Sequence, residues 1–218
     1  MNLLDIYSRL ESHFGPQHWW PADTPFEVIV GAILTQNTSW KNVERAIANL
    51  KKEGVLSPEG IYRIPVERLE TLLVPSGFYK IKTKRLKHFI DFLFEKYDGD
   101  LDRLLSLDTD LLRNELLGIK GIGKETADSI ILYAANKPAF VVDAYTRRVF
   151  ERFGMLEKDA EYDEIKRLFE EQLPRDTEIY NEFHALIVVL AKDICKKRPV
   201  CEKCPLDDSC IFNNYCTH

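Results

Sequence analysis

The chain has 218 residues, 45% hydrophobic and 30% charged, with a formal net charge of −5. That length allows one or two domains around a substantial core, and the balance of apolar and charged residues excludes a disordered chain. No apolar run reaches membrane-spanning length, and Met1 to Leu10 carries Asp5 and Arg9 where a signal peptide would be apolar, so no membrane association and an intracellular, cytoplasmic location are expected.

Residues 3–14 (LLDIYSRLESHF) have the apolar spacing of an amphipathic helix. A loop with adjacent Trp19 and Trp20 follows, and large aromatics in a loop are often core plugs. Pro25 to Gln36 (PFEVIVGAILTQ) is almost continuously apolar and predicts a buried helix. Gln36 would be costly to bury without partners, so it is expected to face a ligand. Ser39 is placed to cap a helix carrying Trp40, Val43, Ala46, Ile47 and Leu50. Further helices are expected near Ser57-Pro58 and at 65–73, 80–97, 101–105, 108–117, 162–173 and 177–193. Strand-like alternation is nearly absent, and the fold class is all-α.

The segment Leu116 to Phe150 concentrates the chemistry. Gly118, Gly121 and Gly123 break the chain between two amphipathic helices, and glycine there permits positive φ and close approach of backbone amides to a bulky group. Free N–H groups at the following helix start, with Lys120 and Lys124 alongside, suit a phosphate oxygen and carry no sequence information. Gly118 to Lys124 also matches half of a nucleotide-binding P-loop. That match fails at Glu125, where magnesium needs Ser or Thr, and at the preceding segment, which has helical rather than strand periodicity. Asp143, ending Phe140-Val141-Val142-Asp143, stands at a helix start, where a carboxylate accepts N–H groups and is held ionised by the dipole. Such a carboxylate suits stabilisation of a developing positive charge.

The pairing of GIKGIGKETA with VVDAYTRRV resembles the helix-hairpin-helix DNA glycosylases of the endonuclease III superfamily, over nearly the whole chain. The resemblance implies that the hairpin grips phosphates of damaged double-stranded DNA and that Asp143 assists cleavage of the N-glycosidic bond. The target nucleotide is flipped out, since that bond is inaccessible in the stack, and Gln36 could then face the gap. Bifunctional members carry a lysine after the hairpin that attacks the sugar as a Schiff-base nucleophile. Here that place holds Glu125, and Lys124 is turned from it by about 100° on a helix. The implied chemistry is hydrolysis, with Asp143 orienting water and stabilising an oxocarbenium-like sugar. WWP, FEVIVGAILTQNTSW and VPSGFYKIKTKRL narrow the similarity to the 3-methyladenine DNA glycosylase branch, which implies a base pocket of Trp19 or Trp20, Trp40 and Glu125. Aromatic faces and a carboxylate both favour the positive charge of an N-alkylated purine.

Net negative charge does not preclude DNA binding when cations cluster. Lys80, Lys82, Lys84, Arg85 and Lys87 crowd one segment, Arg147 and Arg148 follow Asp143, and Lys196, Lys197 and Arg198 adjoin a cysteine. Cys195, Cys201, Cys204 and Cys210, with Cys216 beyond, are all the cysteines of the chain. An odd count without a secretion signal disfavours disulfides, whereas four thiolates suit a structural zinc. The spacing resembles the endonuclease III iron–sulfur loop with its first gap one residue short, which favours a [4Fe–4S] cluster over zinc, with Cys216 an alternative ligand. The cluster loop would hold Lys196, Lys197 and Arg198 against DNA.

The resemblance therefore implies a monomer of two helical domains, 25–136 with the hairpin, and 1–24 plus 137–218 with the cluster loop, with Asp143 in the cleft between them. It implies a monofunctional glycosylase for alkylated purines such as 3-methyladenine. The alternatives are a bifunctional glycosylase and lyase on oxidised pyrimidines and, from another class, a non-catalytic DNA-binding module.

Overall fold

The structure, a computed structural model, describes residues 1–212, so Cys216 lies outside the described residues. The described residues form helices and turns without a strand. The chain divides into two compact units, Ala22–Lys137 and Met1–Pro21 with the chain from Pro138 onward.

In the terminal unit, α1 (Leu3–Phe14) is closed by a capping box between Asn2 and Asp5. The central unit begins with α2 (Pro25–Leu34), which follows a Thr24 cap and buries every residue from Phe26 to Leu34. Each large apolar side chain so buried contributes about 1.5–3 kcal/mol, which explains why this helix lacks a polar face. α2 stops at Leu34, short of Gln36, and Asn37 then takes a left-handed backbone (φ 56°). Around it lie α3 (Trp40–Glu53), α4 (Pro58–Arg63), α5 (Val66–Leu73), α6 (Tyr79–Tyr97), α7 (Leu101–Leu105), α8 (Thr109–Leu117) and α9 (Lys124–Ser129). Ser39 occupies the cap position of α3, but its side chain makes no cap hydrogen bond, and its carbonyl accepts from Asn42 and Val43 instead.

Two departures from regular helix were not predicted. A 3₁₀ turn, Val74–Ser76, joins α5 to α6, and α9 widens into a π turn over Ile130–Ala134. The π turn ends as Asn136 adopts φ 51° and Lys137 N–H closes on the Ile131 carbonyl at 3.0 Å, so the chain leaves the helix before Pro138.

The terminal unit continues with the buried extended segment Ala139–Val142, then α10 (Ala144–Phe153), α11 (Tyr162–Gln172) and α12 (Thr177–Asp193). The extended segment has no strand partner among the described residues. Glu170 accepts its Phe140 N–H at 2.9 Å and the Tyr162 hydroxyl accepts its Val142 N–H at 3.4 Å, which meets the need of buried backbone donors. Phe140 stacks on Phe169 with ring centroids 4.2 Å apart, and Phe150, Tyr180 and Phe183 meet them edge-on or tilted. This aromatic knot fixes α10, and so Asp143 at its start, against α12.

Candidate functional site

Of the three hairpin glycines, Gly121 alone has positive φ, at 98°, whereas Gly123 is extended. Gly121 also lies against the Arg85 side chain, where a Cβ would stand 3.1 Å from Cδ. Gly123 is the cap of α9, and a Cβ there would meet nothing within 4 Å, so the approach to the first N–H groups of α9 is open. Lys120, Lys124 and Glu125 are exposed around it. Beneath, Arg113 and Asp128 form a two-pronged ion pair (2.8 and 3.2 Å) between α8 and α9, with Asp128 fully buried.

Gln36 is half-buried and hydrogen-bonded within its own unit. Its amide nitrogen donates to the Gly121 carbonyl at 3.3 Å and the Thr126 hydroxyl at 2.9 Å, and its carbonyl oxygen accepts from Arg85. The cost of burying an amide is met by the hairpin itself, with His88 Nδ1 adding a 3.0 Å contact to the Lys120 carbonyl.

The basic run on α6 is likewise reassigned. Lys82 is 1% exposed and donates to the Ser76 carbonyl at 2.6 Å, and burial pushes its ammonium down to about 8. Lys87 binds the carbonyls of Ile61, Tyr62 and Ile64 at the end of α4. Of the run, Lys80 and Lys84 are exposed. Between the 3₁₀ turn and α6, Phe78 is 66% exposed on a left-handed backbone (φ 46°), a feature that apolar periodicity gave no reason to expect.

In the terminal unit Asp143 caps α10. Its Oδ1 accepts from Thr146 N–H at 2.7 Å and from the Thr146 hydroxyl at 3.0 Å, while Oδ2 faces His184 Nε2 at 3.6 Å. Burial works to raise the Asp143 pKa, but the His184 imidazole facing Oδ2 and the Thr146 donors outweigh it and hold the carboxyl below its ordinary value. Trp19 stacks on His184 (centroids 5.9 Å, 21° between planes) and lies 6.1 Å from Trp20. His184 was not singled out from the sequence, although a lone imidazole between Phe183 and the apolar run ALIVVLA of α12 was a signal. Arg147 spends one arm on the Ala160 carbonyl at 2.6 Å.

The four cysteines Cys195, Cys201, Cys204 and Cys210 line one cavity together with Arg152 and Phe212. Burial, with the nearby thiols of Cys195 and Cys210, pushes the Cys204 thiol up to about 11, so it would ionise near neutrality only with a cation beside it. Among the described residues no three such donors are grouped closely enough for a single metal ion. Arg148 donates to the carbonyls of Cys195 (2.9 Å) and Ala191 (2.8 Å), and Arg152 to that of Lys197 (3.1 Å) and, at 3.4 Å, to Cys195 Sγ. These two arginines tie the loop to α10, while Lys196, Lys197 and Arg198 remain exposed. No described helix is long and apolar enough to cross a membrane.

A glycine hairpin between helices, with a capping aspartate after it and no strand among the described residues, defines a helix-hairpin-helix protein. The chain belongs to the HhH-GPD superfamily of base excision DNA repair proteins, whose profile matches residues 30–175. It is 52% identical over 195 residues, 88% of each chain, to a provisionally named DNA repair glycosylase of Methanocaldococcus jannaschii. Among solved structures, a trapped endonuclease III–DNA covalent intermediate superposes with a TM-score of 0.86 at 23% identity, covering 99% of this chain and 97% of that one. The 3-methyladenine DNA glycosylase of H. pylori, bound to 1,N6-ethenoadenine, superposes with a TM-score of 0.75 at 29% identity, covering 88% and 98%. The protein is a DNA glycosylase of the endonuclease III superfamily.

Proposed function

We propose that this glycosylase is monofunctional and hydrolyses alkylated purines, 3-methyladenine among them, from double-stranded DNA. The observation that carries the reading is Glu125, which stands where bifunctional members place their nucleophilic lysine, at the second position of α9. The H. pylori relative, named for 3-methyladenine and matched along 98% of its chain, supports the substrate class. In this account Asp143, kept ionised, orients a water with Oδ2 and stabilises the cationic sugar as the bond breaks. Trp20, Trp40 and Glu125 attract the cationic base. Trp19 is a poorer platform for a cation, since Lys192 Nζ already lies 5.7 Å from its ring. The amides around Gly123, with Gly118, Lys120 and Lys124, and the exposed Lys196, Lys197 and Arg198 bind phosphates. Phe78, fixed and exposed beside Lys80 and Lys84, suits an apolar contact with unstacked bases.

The cysteine cavity suits a [4Fe–4S] cluster, because four thiols line it and their spacing resembles the endonuclease III iron–sulfur loop. Cys195, Cys201, Cys204 and Cys210 would hold it. Bound there, it supplies cationic iron that ionises the thiols and fixes the loop bearing the three basic residues.

The likeness to endonuclease III favours a second reading, a lyase acting through Lys120 or Lys124. Borohydride added during turnover separates the two. The proposal expects no covalent enzyme–DNA adduct, and an adduct lost in Lys124→Ala or Lys120→Ala overturns it.

A further inference from the structure

α12 reaches the loop that carries Trp19 at three places. Glu182 accepts the backbone N–H groups of Gln17 and His18, at 2.5 and 3.3 Å. His184, two residues on, stacks its ring on Trp19 and turns Nε2 toward Asp143 Oδ2. Lys192 places its ammonium 5.7 Å from the Trp19 ring and 5.8 Å from that of Tyr145, two residues past Asp143. One buried helix thus grips both the indole and the carboxylate, and His184, with its side chain 7% exposed, is the member that touches both.

We propose that His184 is a positioning residue for the glycosylase reaction: it aligns the Asp143 carboxylate by facing Oδ2 and sets the plane of Trp19, so that the orientation of the carboxylate is tied to that of the aromatic loop. The proposal deepens the hydrolytic reading above and rests on it. Its physical basis is the division of labour at Asp143. Oδ1 is committed to Thr146 at the start of α10, and Oδ2 of this carboxylate, sunk to 15% exposure, faces the His184 imidazole nitrogen at 3.6 Å, so the ring next to Oδ2 decides how the buried carboxyl is oriented and how readily it takes a proton. The neutral acid neither orients water as a base nor stabilises an oxocarbenium ion. The other charged groups on the packed elements are committed elsewhere. Glu182 holds the loop backbone, Lys192 faces the two rings, Arg147 bonds Ala160, and Arg148 bonds Cys195 and Ala191. On α1, Tyr7 donates to Glu11 at 2.8 Å.

The test compares His184→Phe, which keeps a flat ring against Trp19 and loses the nitrogen, with His184→Gln, which keeps a donor and loses the ring. In the full-length protein the Asp143 carboxyl is followed by carbon NMR titration, and single-turnover base release is followed against pH. His184→Phe is expected to move the Asp143 titration and the acid limb of the rate profile upward together, with about a tenfold loss at acid pH per unit moved. His184→Gln is expected to restore both toward wild type. Binding to duplex DNA with a tetrahydrofuran abasic analogue stays within about twofold for both, a difference of roughly 0.4 kcal/mol. An Asp143 titration in His184→Phe that matches wild type overturns the proposal, as does equal loss at every pH in both variants. If the wild type releases no base while the Asp143 titration still moves, the hydrolytic reading fails and the pairing stands. If His184→Phe does not fold, a His184→Gln protein that loses base release at every pH, as Asp143→Asn does, overturns the positioning role.

Discussion

Gly121→Ala and Gly123→Ala, two residues apart in one hairpin, are expected to fail in different ways. At position 121 the backbone has φ 98°, which costs a non-glycine residue about 1–3 kcal/mol. The new methyl would also displace the Arg85 side chain and with it the charged hydrogen bond to Gln36, which is worth about 1.5–3 kcal/mol. Reduced freedom of the unfolded chain offsets about 0.4–1 kcal/mol, leaving a net loss of about 2–5 kcal/mol. At position 123 the backbone is extended and the space open, so the stability change stays within about 1 kcal/mol. That methyl instead crowds the start of α9, proposed to take a phosphate, and duplex affinity should fall about tenfold, the worth of roughly one charge-assisted contact. Urea unfolding followed by tryptophan fluorescence reads the first effect and filter binding at fixed salt reads the second. A Gly121→Ala protein as stable as wild type, or a Gly123→Ala protein that binds DNA undiminished, refutes the reasoning for that position.

Asp128→Asn leaves the Arg113 guanidinium without its buried charge partner and should cost about 3–5 kcal/mol, read by urea unfolding. Lys82 has a folded pKa of about 8 against 10.5 in the unfolded chain, so between those values the unfolded state binds more protons and stability rises with pH. Melting temperatures from pH 7.5 to 10.5 should show that rise in wild type and lose this component in Lys82→Met. An equal rise in both would assign it to other groups. Glu125→Gln should slow release of cationic alkylpurines more than release of neutral bases, by about tenfold in the ratio of the two rates if the carboxylate supplies roughly 1.4 kcal/mol of that selectivity. Arg152→Gln frees the Lys197 carbonyl and removes a contact at Cys195, and should lower the iron content of protein purified without oxygen.

The helices were legible because their apolar spacing is local: α1, α10 and α12 fall where period and caps put them, and α2 starts at the expected Pro25 but ends two residues early. The hairpin and Asp143 were legible because glycine and a capping acid are local signals too. What sequence could not give was the destination of long polar side chains. The protein partners of Gln36, Arg85 and Gly121, come from far along the chain and leave no local signal. Lys82 read as surface charge because nothing local shows that its ammonium turns under the Val74–Ser76 turn. Trp19 and His184 lie near opposite ends of the chain, and only the packing of α12 brings them together. The π turn after α9 also escaped, since IILYA has the apolar pattern of ordinary helix.

The central claim is hydrolysis of alkylated purines by a carboxylate held ionised at the start of α10. Its most direct test is chromatography of the bases released from methylated duplex DNA by the wild type and by Asp143→Asn. Release of 3-methyladenine by the wild type, with release lost and DNA binding kept in Asp143→Asn, is the predicted result. No release by a wild type that binds DNA, or undiminished release by the variant, would contradict it.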